Sequence, residues 1–319
     1  MELLFFNGKV RGLMKSERPV IAALGEVLWD LFPDGAKFGG APANYAHHAS
    51  ALGAEVHLLT ALGADDLGAR ATEHLSAMKI SLESVQSHSG YPTGSVRVTV
   101  SSDGQASYRF GEDEAWDHLL WQDDLLRIAG ACDAVCFGTL GQRAAESRDV
   151  IQRFVRSTKS DAIRVLDLNL RPPFVSSTVI QRSLELSNTL KLNDDELEVC
   201  SDLFSLTGNS VNSKLSQLAA RFELDVIVLT LGQRGAVMFD HGLVFKTKAR
   251  VVEVQDTVGA GDSFTARITC GLLAQEDAES MLDGACRLAE FVCTESGATP
   301  KVPSGLVPEF SRNWLRAEQ

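Results

Sequence analysis

The sequence predicts an α/β fold in which helices cover both faces of a mostly parallel sheet. Short β-branched runs such as Val20–Leu24 and Val226–Leu231 alternate with longer segments of helical periodicity. This alternation favours parallel pairing, because a helical crossover is needed to bring each strand back alongside its predecessor. The strict alternation of apolar and polar residues in Ser95–Val100 adds a small antiparallel sheet to this body.

The predicted elements succeed one another at short intervals along the chain. Buried strands are predicted at Val20–Leu24, Glu55–Thr60, Ala134–Gly138, Ile163–Leu168, Thr189–Leu192 and Val226–Leu231, and helices at Pro42–Leu52 and Asp66–Met78. From Val85 to Phe110 the chain changes to short strands separated by turn signals, among them Asp103-Gly104. We expect segments 31–40 and 85–111 to form a lid on the α/β body. An ordinary edge meander is the alternative.

Composition excludes several functional classes. The chain has 45% apolar and 23% charged residues, which is ordinary for a globular protein. A net charge of −12 without any basic run disfavours nucleic acid and anionic membrane surfaces as partners. No apolar stretch approaches the roughly 18–20 residues that span a bilayer. The six cysteines form no C-x-x-C pair, so we expect free thiols and a cytoplasmic location.

One main domain is expected at residues 19–305. The apolar run Leu3–Phe6 is shorter than the roughly 7–15 residues of a signal-peptide core. We therefore interpret residues 1–18 as an N-terminal extension, with Met14 as an alternative start, and residues 306–319 as a C-terminal tail.

The most informative segment is Asp256–Asp262, which reads DTVGAGD and leads directly into the helix-like run Ser263–Leu273. A helix N-terminus has unpaired N–H groups and a partial positive charge, so it suits a phosphate. Gly259 and Gly261 carry no Cβ and let the backbone approach the anion closely. A carboxylate next to a phosphate is explained if it accepts a proton from an attacking hydroxyl. The segment therefore predicts phosphoryl transfer to an alcohol.

A second glycine motif, GGAPAN, spans Gly39–Asn44. Its paired glycines permit close approach to a ligand, and the amide of Asn44 both donates and accepts hydrogen bonds, which suits sugar hydroxyls. Asp30 follows the strand Val20–Leu24 by six residues, so we expect it at the carboxyl-end rim of the sheet, where ligands of such folds bind. No Walker-type G-x-x-x-x-G-K-[ST] occurs.

With these two motifs the chain resembles the ribokinase-like, PfkB-type carbohydrate kinases, and among them the bacterial fructokinases. Asp256–Asp262 matches the family's C-terminal signature at every position, and Gly39, Gly40 and Asn44 match its N-terminal signature, in the same order over roughly residues 19–305. The resemblance implies a three-layer fold with a β lid and ATP-dependent phosphorylation of a hexose, D-fructose first. Ketodeoxygluconate kinase, ribokinase and a non-catalytic sugar-binding homologue are the alternatives.

The resemblance also implies a role for particular residues. Asp262 is the base, and the amides of Gly259, Ala260 and Gly261 form the anion hole. Sugar and substrate contacts fall on Asp30, Gly39, Gly40, Asn44 and Arg171. Nucleotide contacts fall on Asn193, Thr230, Gly232, Gly235 and Gly297. For Arg171 a structural ion pair is the alternative, and for Thr230–Gly235 a plain strand–turn–strand connection.

Two ions and one further partner complete the expectations. By resemblance Glu196 helps to hold Mg²⁺ through water, although the acidic run Asn193–Glu196 equally suits a helix N-terminus. Asp256 lies near the place where relatives bind a monovalent cation. Lys301 falls where some of them have a small hydroxyl residue, so potassium is left open. An apolar lid face, including Val96 and Val98, predicts a possible homodimer through the lid.

Overall fold

The computed structural model describes residues 5–6, 9–10, 18–33, 35–100 and 106–316. The strands, in chain order from residue 18, are β1 (Val20–Leu24), β2 (Leu28–Phe32), β3 (Gly35–Gly39), β4 (Glu55–Gly63), β5 (Val85–His88), β6 (Gly94–Val100), β7 (Ala106–Phe110), β8 (Ala134–Phe137), β9 (Ile163–Asp167), β10 (Thr189–Asn193), β11 (Val226–Thr230), β12 (Ala236–Asp240) and β13 (Leu243–Thr247). Before them, Phe5–Phe6 pairs antiparallel with Lys9–Val10.

The helices lie between these strands and after them. They are α1 (Ala41–Ala51), α2 (Asp66–Ala77), α3 (Asp123–Ala131), α4 (Ala145–Arg156), α5 (Ser177–Leu186), α6 (Asp194–Phe204), α7 (Val211–Phe222), α8 (Ala260–Leu273), α9 (Ala278–Cys293) and α10 (Glu309–Arg316). All eight elements predicted by range have the predicted type, and most of their ends lie within one residue of the prediction. Among the described residues, no helix combines the length and apolar character that crossing a membrane requires.

The large sheet forms the middle layer of the molecule. Within the described ranges it has nine strands in the order β13-β12-β11-β10-β9-β8-β1-β4-β5. All neighbours are parallel except β11–β12 and β12–β13, which are antiparallel. Alternate residues of each strand point to opposite faces. One face packs against α3–α7, and the other against α1, α2, α8 and α9. This three-layer α/β arrangement confirms the predicted fold class.

The small sheet has the order β3-β2-β6-β7 in the part of the chain that the structure describes. Its outer pairings, β2–β3 and β6–β7, are antiparallel as predicted, whereas the central β2–β6 pairing is parallel. Trp29 of β2 is 1% exposed and packs under α2, where the guanidinium of Arg70 lies 4.3 Å from its ring centroid. Helix α2 therefore holds one face of the small sheet against the body.

The structure corrects three boundaries of the sequence analysis. Val85–His88, assigned to the lid, pairs in parallel with β4 and forms an edge of the large sheet. Asp30 does not end the first strand: the chain turns at Gly25, where φ is 139°, and Asp30 lies inside β2 of the small sheet. The expected tail contains α10, whose Trp314 is 6% exposed and packs in the core, so this helix belongs to the domain.

Three expectations concern residues outside the described ranges. They are the N-terminal extension with Met14, of which only the two short strands and Arg18 are described, the turn at Asp103-Gly104, and the end of the tail at residues 317–319. A fourth expectation, the homodimer, is not supported by the described residues. The lid face that prompted the prediction of a homodimer is covered within one chain, because Val96 and Val98 are each only 2% exposed. A second subunit is not needed to bury them.

Candidate active site

A cleft opens where the parallel strands end. It lies at the carboxyl ends of β1, β8 and β9. Its walls include Glu26 after β1, Thr139 after β8, Asn169 after β9, and Asp262 in the first turn of α8. The topology thus gathers residues that are far apart in the sequence, at the edge where ligands of parallel α/β sheets bind.

Two of the predicted site residues meet directly in this cleft. The Nδ2 amide of Asn44 in α1 donates a hydrogen bond to Oδ2 of Asp262 in α8, at 2.8 Å. Asn44 is 3% exposed, and its Oδ1 is buried with no partner among the described residues. Among the described residues, the other oxygen of Asp262, Oδ1, accepts no hydrogen bond. The two signature motifs therefore meet at one carboxylate.

The helix α8 begins on a backbone that requires glycine. Gly259 has φ 79°, and a Cβ at this position would lie 2.5 Å from the carbonyl oxygen of Ala298. Of the three predicted anion-hole amides, that of Ala260 already donates to the Thr257 carbonyl at 3.3 Å. In the part of the chain that the structure describes, no acceptor pairs with the amides of Gly259, Gly261 and Asp262, which lie at the positive end of the helix.

The surroundings of Asp262 shift the pKa of its carboxyl. Burial raises its pKa from the usual 3.8 to about 6, and the negative charge of Asp167 adds to the rise. The hydrogen bond from Asn44 and the positive charges of Lys191 and Arg171 act in the opposite direction. A carboxyl with a pKa near 6 is ionised at neutral pH yet basic enough to accept a proton during reaction.

A buried ionic network under this carboxyl was missed by the sequence analysis. Lys191 of β10 bonds Oδ1 of Asp167 at 3.0 Å, and the hydroxyl of Thr265 in α8 donates to Oδ2 of the same carboxylate at 2.8 Å. A Cβ on Gly261 would lie 3.2 Å from the Lys191 Nζ, so this ammonium sits directly behind the anion loop. The signal was a lysine inside the apolar strand Thr189–Leu192, since a buried charge needs a partner.

Glu26 is a second carboxyl of the cleft that sequence reasoning did not assign. It is 5% exposed, and burial raises its pKa to about 7, with Asp262 contributing in the same direction and Arg171 against it. The amide of Ala41 at the start of α1 favours its ionised form. Gly40, with φ 109°, packs so closely on this segment that a Cβ would lie 2.5 Å from the Glu26 carbonyl oxygen. Glu26 therefore lies beside the loop that leads to Asn44.

The small sheet contributes Asp30 and Gly39 to the same side of the molecule. These residues lie on neighbouring strands, and a Cβ on Gly39 would approach Oδ2 of Asp30 to 3.0 Å. Burial raises the pKa of Asp30, while the charge of Arg171 lowers it. Arg171 follows β9 in an exposed loop just before the cis peptide bond Pro172–Pro173. Its positive charge lowers the pKa of Glu26, Asp30 and Asp262, so Arg171 lies close enough to the cleft to act electrostatically on all three carboxyls.

The acidic motif at Asn193 forms a helix cap. Asn193 and Glu196 make a reciprocal capping box at the start of α6, with both bonds at 2.8 Å, as the alternative interpretation predicted. The other oxygen of Glu196 accepts the Leu170 amide at 2.8 Å. Within the described ranges, no three His, Cys, Asp or Glu side chains are placed to hold a metal ion directly. Both oxygens of Glu196 thus accept backbone amides, and its contact with Mg²⁺ through water stays a prediction.

The glycines predicted to contact the nucleotide lie in turns that follow β11 and α9, and of these glycines Gly232 is exposed whereas Gly235 is buried. Thr230 ends β11, and Gly232 and Gly235 form the following turn with φ 56° and 92°. Asp256 connects the loop that precedes α8 with the loop that follows α9. Its Oδ1 accepts the Val258 amide at 3.0 Å, and its Oδ2 accepts the Gly297 amide at 3.2 Å. The segments expected to flank a monovalent cation are therefore neighbours.

With the geometry established, comparison with known proteins identifies the family. The model of the pfkB family carbohydrate kinases matches residues 35–305. The chain belongs to this family. It is therefore a sugar kinase, a phosphotransferase with an alcohol acceptor. The expectation drawn from DTVGAGD and GGAPAN is confirmed at this level.

Individual relatives agree with this assignment. The fructokinase of Klebsiella pneumoniae is 29% identical over 266 residues, which cover 80% of this chain and 84% of the relative. Two solved structures share the fold. A 2-dehydro-3-deoxygluconokinase from Thermotoga maritima has a TM-score of 0.82 at 17% identity, covering 92% of this chain and 100% of its own. A fructokinase double mutant from Vibrio cholerae O395, with fructose, ADP and potassium bound, has a TM-score of 0.76 at 20% identity, covering 91% and 97%.

Proposed function

We propose that this kinase transfers the γ-phosphoryl group of ATP to the primary hydroxyl of a hexose, with D-fructose as the preferred acceptor and fructose 6-phosphate as the product. The observation that carries the proposal is the 2.8 Å bond from Asn44 to Asp262 at the start of α8. It fixes a carboxylate with one free oxygen between the sugar-side helix and the anion-binding loop. The fructokinase of K. pneumoniae supports fructose as the first candidate.

In the proposed reaction Asp262 accepts the proton of the hydroxyl as that oxygen attacks the γ-phosphorus. The bond to Asn44 holds one carboxylate oxygen, so the other is directed at the hydroxyl. The amides of Gly259 and Gly261 stabilise the charge on the transferred group, and Lys191 adds positive charge behind them. Phosphoryl transfer depends mainly on such positioning and charge stabilisation. Mg²⁺ bound to the ATP phosphates supplies charge neutralisation, with Glu196 as its water-mediated contact.

Asp30, Gly39 and Gly40 contact the sugar in this proposal, and the small sheet limits the access of water. Thr230, Gly232, Gly235, Asn193 and Gly297 contact the nucleotide. The closely joined segments around Asp256 and Gly297 offer a place for potassium, an ion present in the V. cholerae fructokinase structure. The six free cysteines, five of them buried, are consistent with a cytoplasmic enzyme.

A second acceptor, 2-keto-3-deoxygluconate, is favoured by one observation. Arg171 is exposed and acts electrostatically on the carboxyls of the cleft, and within the described residues it has no carboxylate at ion-pair distance. A planar guanidinium is well suited to a sugar-acid carboxylate, which fructose lacks. Arg171 would therefore decide between a neutral sugar and a sugar acid.

The proposal is tested with a panel of acceptors and magnesium-ATP. Fructose, ketodeoxygluconate, ribose, glucose and a nucleoside are assayed by ADP release and by mass spectrometry of the product. We expect fructose to give the highest kcat/KM and a 6-phosphate. A higher value for ketodeoxygluconate selects the second candidate. Sugar-dependent shifts in melting temperature without ADP release would contradict catalysis and indicate a binding protein.

A further inference from the structure

A buried ionic network lies where the small sheet joins the body. Arg143 follows the turn Leu140–Gln142 and binds both oxygens of Asp117: its Nε donates at 2.8 Å and its Nη2 at 2.6 Å. The side chains of Arg143 and Asp117 are 9% and 5% exposed. Glu114 lies within 3.6 Å of the same guanidinium and is also buried. One cation therefore neutralises two carboxylates that are withdrawn from water.

This network binds the backbone at one end of each of two strands of the small sheet, β6 and β7. The Nη2 of Arg143 donates to the carbonyl of Gly111, the residue after β7, at 2.9 Å. Glu114 accepts the amide of Ser95 in β6 at 2.6 Å. Since β6 pairs with β2, which carries Asp30, the network reaches the sugar side of the cleft through one strand.

Stacked rings complete the connection to the body. The Arg143 guanidinium lies 4.0 Å from the Trp116 ring centroid and 4.8 Å from that of Phe174. Phe174 in turn meets Phe110 of β7 edge to face, with centroids 5.6 Å apart. On the body side, the turn that leads to Arg143 begins with Leu140, which lines the cleft. Arg143 is thus in contact with both parts of the molecule between which the sugar is proposed to bind.

We propose that Arg143 is a positioning residue that fixes the small sheet over the sugar side of the cleft and thereby sets the affinity for the sugar. This inference rests on the proposed placement of the sugar between the small sheet and Asp262. Without the guanidinium, Asp117 and Glu114 would be left as two buried carboxylates of like charge. Their repulsion acts at the joint of the sheet, so Asp30 would be displaced while the nucleotide side stays unchanged.

The test compares three variants with the wild-type enzyme. Arg143→Met removes the charge but keeps the stem, and Arg143→Lys keeps the charge without the planar fork. Arg153→Met is the matched control, because the Arg153 guanidinium also stacks on a tryptophan, Trp121, at 3.8 Å, but away from the small sheet. Each variant is assayed for kcat, for KM with sugar and with ATP, and for sugar-independent ATP hydrolysis.

We expect Arg143→Met to raise the KM for sugar by at least about tenfold, which corresponds to only part of the free energy that breaking a buried charge pair costs. The KM for ATP should stay within about twofold, and hydrolysis in the absence of sugar should increase. Arg143→Lys should raise the KM for sugar by an intermediate factor. If Arg143→Met does not fold, the lysine variant provides the test. An unchanged sugar KM in the folded variants, or an equal rise for ATP, would overturn the inference. A wild-type enzyme that phosphorylates no sugar of the panel would instead contradict the proposed function.

Discussion

The two sides of the cleft differ in the groups that line them. On the proposed sugar side, Asn44 and Glu26 are buried side chains, and the carboxyl of Asp262 accepts a hydrogen bond from Asn44. On the proposed nucleotide side, Gly232, Gly235 and Gly297 form backbone turns with positive φ. The proposed chemistry therefore depends on side chains that protein surrounds, and the proposed nucleotide recognition depends on backbone shape that glycine permits.

This difference predicts that substitutions on the two sides change different kinetic parameters. A change of side-chain chemistry on the sugar side should alter kcat and its pH dependence, because the affected groups act on the reacting hydroxyl. Added atoms on the nucleotide side should alter affinity for ATP, except where they also press on the anion loop. The predictions below test this separation in order of decreasing effect.

The largest effect is expected for Asp262→Asn. The amide keeps the shape and can still bond Asn44, but it cannot accept the proton, so kcat should fall about 10²–10⁴-fold, the usual range for a general base. Sugar and nucleotide affinities, measured by calorimetry, should change little. Asp123→Asn is the control, because Asp123 is also an acid in the first turn of a helix, but at an exposed position. Near-normal turnover of a folded Asp262→Asn variant would contradict the assignment.

Two glycines with similar backbone angles give the next test. Gly259 and Gly297 have φ 79° and 83°, but a Cβ would lie 2.5 Å from the Ala298 oxygen at Gly259 and meets nothing within 4 Å at Gly297. Gly259→Ala should displace the anion loop and lower kcat roughly 10²-fold. Gly297→Ala should leave kcat nearly unchanged, raise the KM for ATP, and add backbone strain of about 1 kcal/mol, seen as a lower melting temperature. Equal effects on kcat would show that the loop is not sensitive to this contact.

The smallest predicted effect concerns two histidines of α1 that bind the segment after Gly297 and so connect the two sides of the cleft. His48 of α1 is 0% exposed, and its Nε2 bonds the carbonyl of Ala298 at 2.9 Å, while its neighbour His47 bonds that of Pro300 at 3.1 Å. Burial lowers the pKa of His48 from 6.5 to about 3. The unfolded chain therefore binds an extra proton below pH 6.5, and folding stability contributed by neutral His48 is lost as the pH falls from 6.5 towards 3.

The measurement is the free energy of unfolding at pH 7 and pH 5.5 for the wild type and for His48→Gln. Each pH unit below the unfolded pKa costs about 1.4 kcal/mol per histidine. The wild type should lose stability more steeply than the variant, by about this slope. Identical slopes would mean that His48 becomes protonated in the folded protein. The kcat at pH 7.5 should be similar in both, since neither side of the cleft uses the imidazole in the reaction.

The sequence predicted the local features of both sides well. DTVGAGD and GGAPAN identified Asp262, Asn44 and the glycines, because a positive φ and a helix N-terminus are local properties of a few residues. The types and ends of the buried strands were predicted from their apolar runs. The helix start at Asn193 was also predicted, as one of two interpretations of the acidic run, whereas its capping box is shown only by the structure.

The parts that were missed depend on contacts between distant segments. Asp30 was assigned to the rim of the first strand, because nothing in a one-dimensional count shows that the chain turns at Gly25 into a different sheet. A four-residue strand such as Val85–His88 carries no signal of which sheet it joins. The Lys191–Asp167 pair and the Arg143–Asp117 pair join residues 24 and 26 positions apart, so these partners can be recognised only once the chain is folded.

The account rests on Asp262 as the base, and the pH dependence of kcat/KM for the sugar tests this most directly. Because burial raises the pKa of Asp262 to about 6, kcat/KM should fall about tenfold per pH unit below that value. Glu26→Gln, which removes the neighbouring carboxyl with a pKa of about 7, should keep this break in the profile. The residual activity of Asp262→Asn should lack it. A wild-type profile that stays flat to pH 5, or a break that survives in Asp262→Asn, would contradict the account.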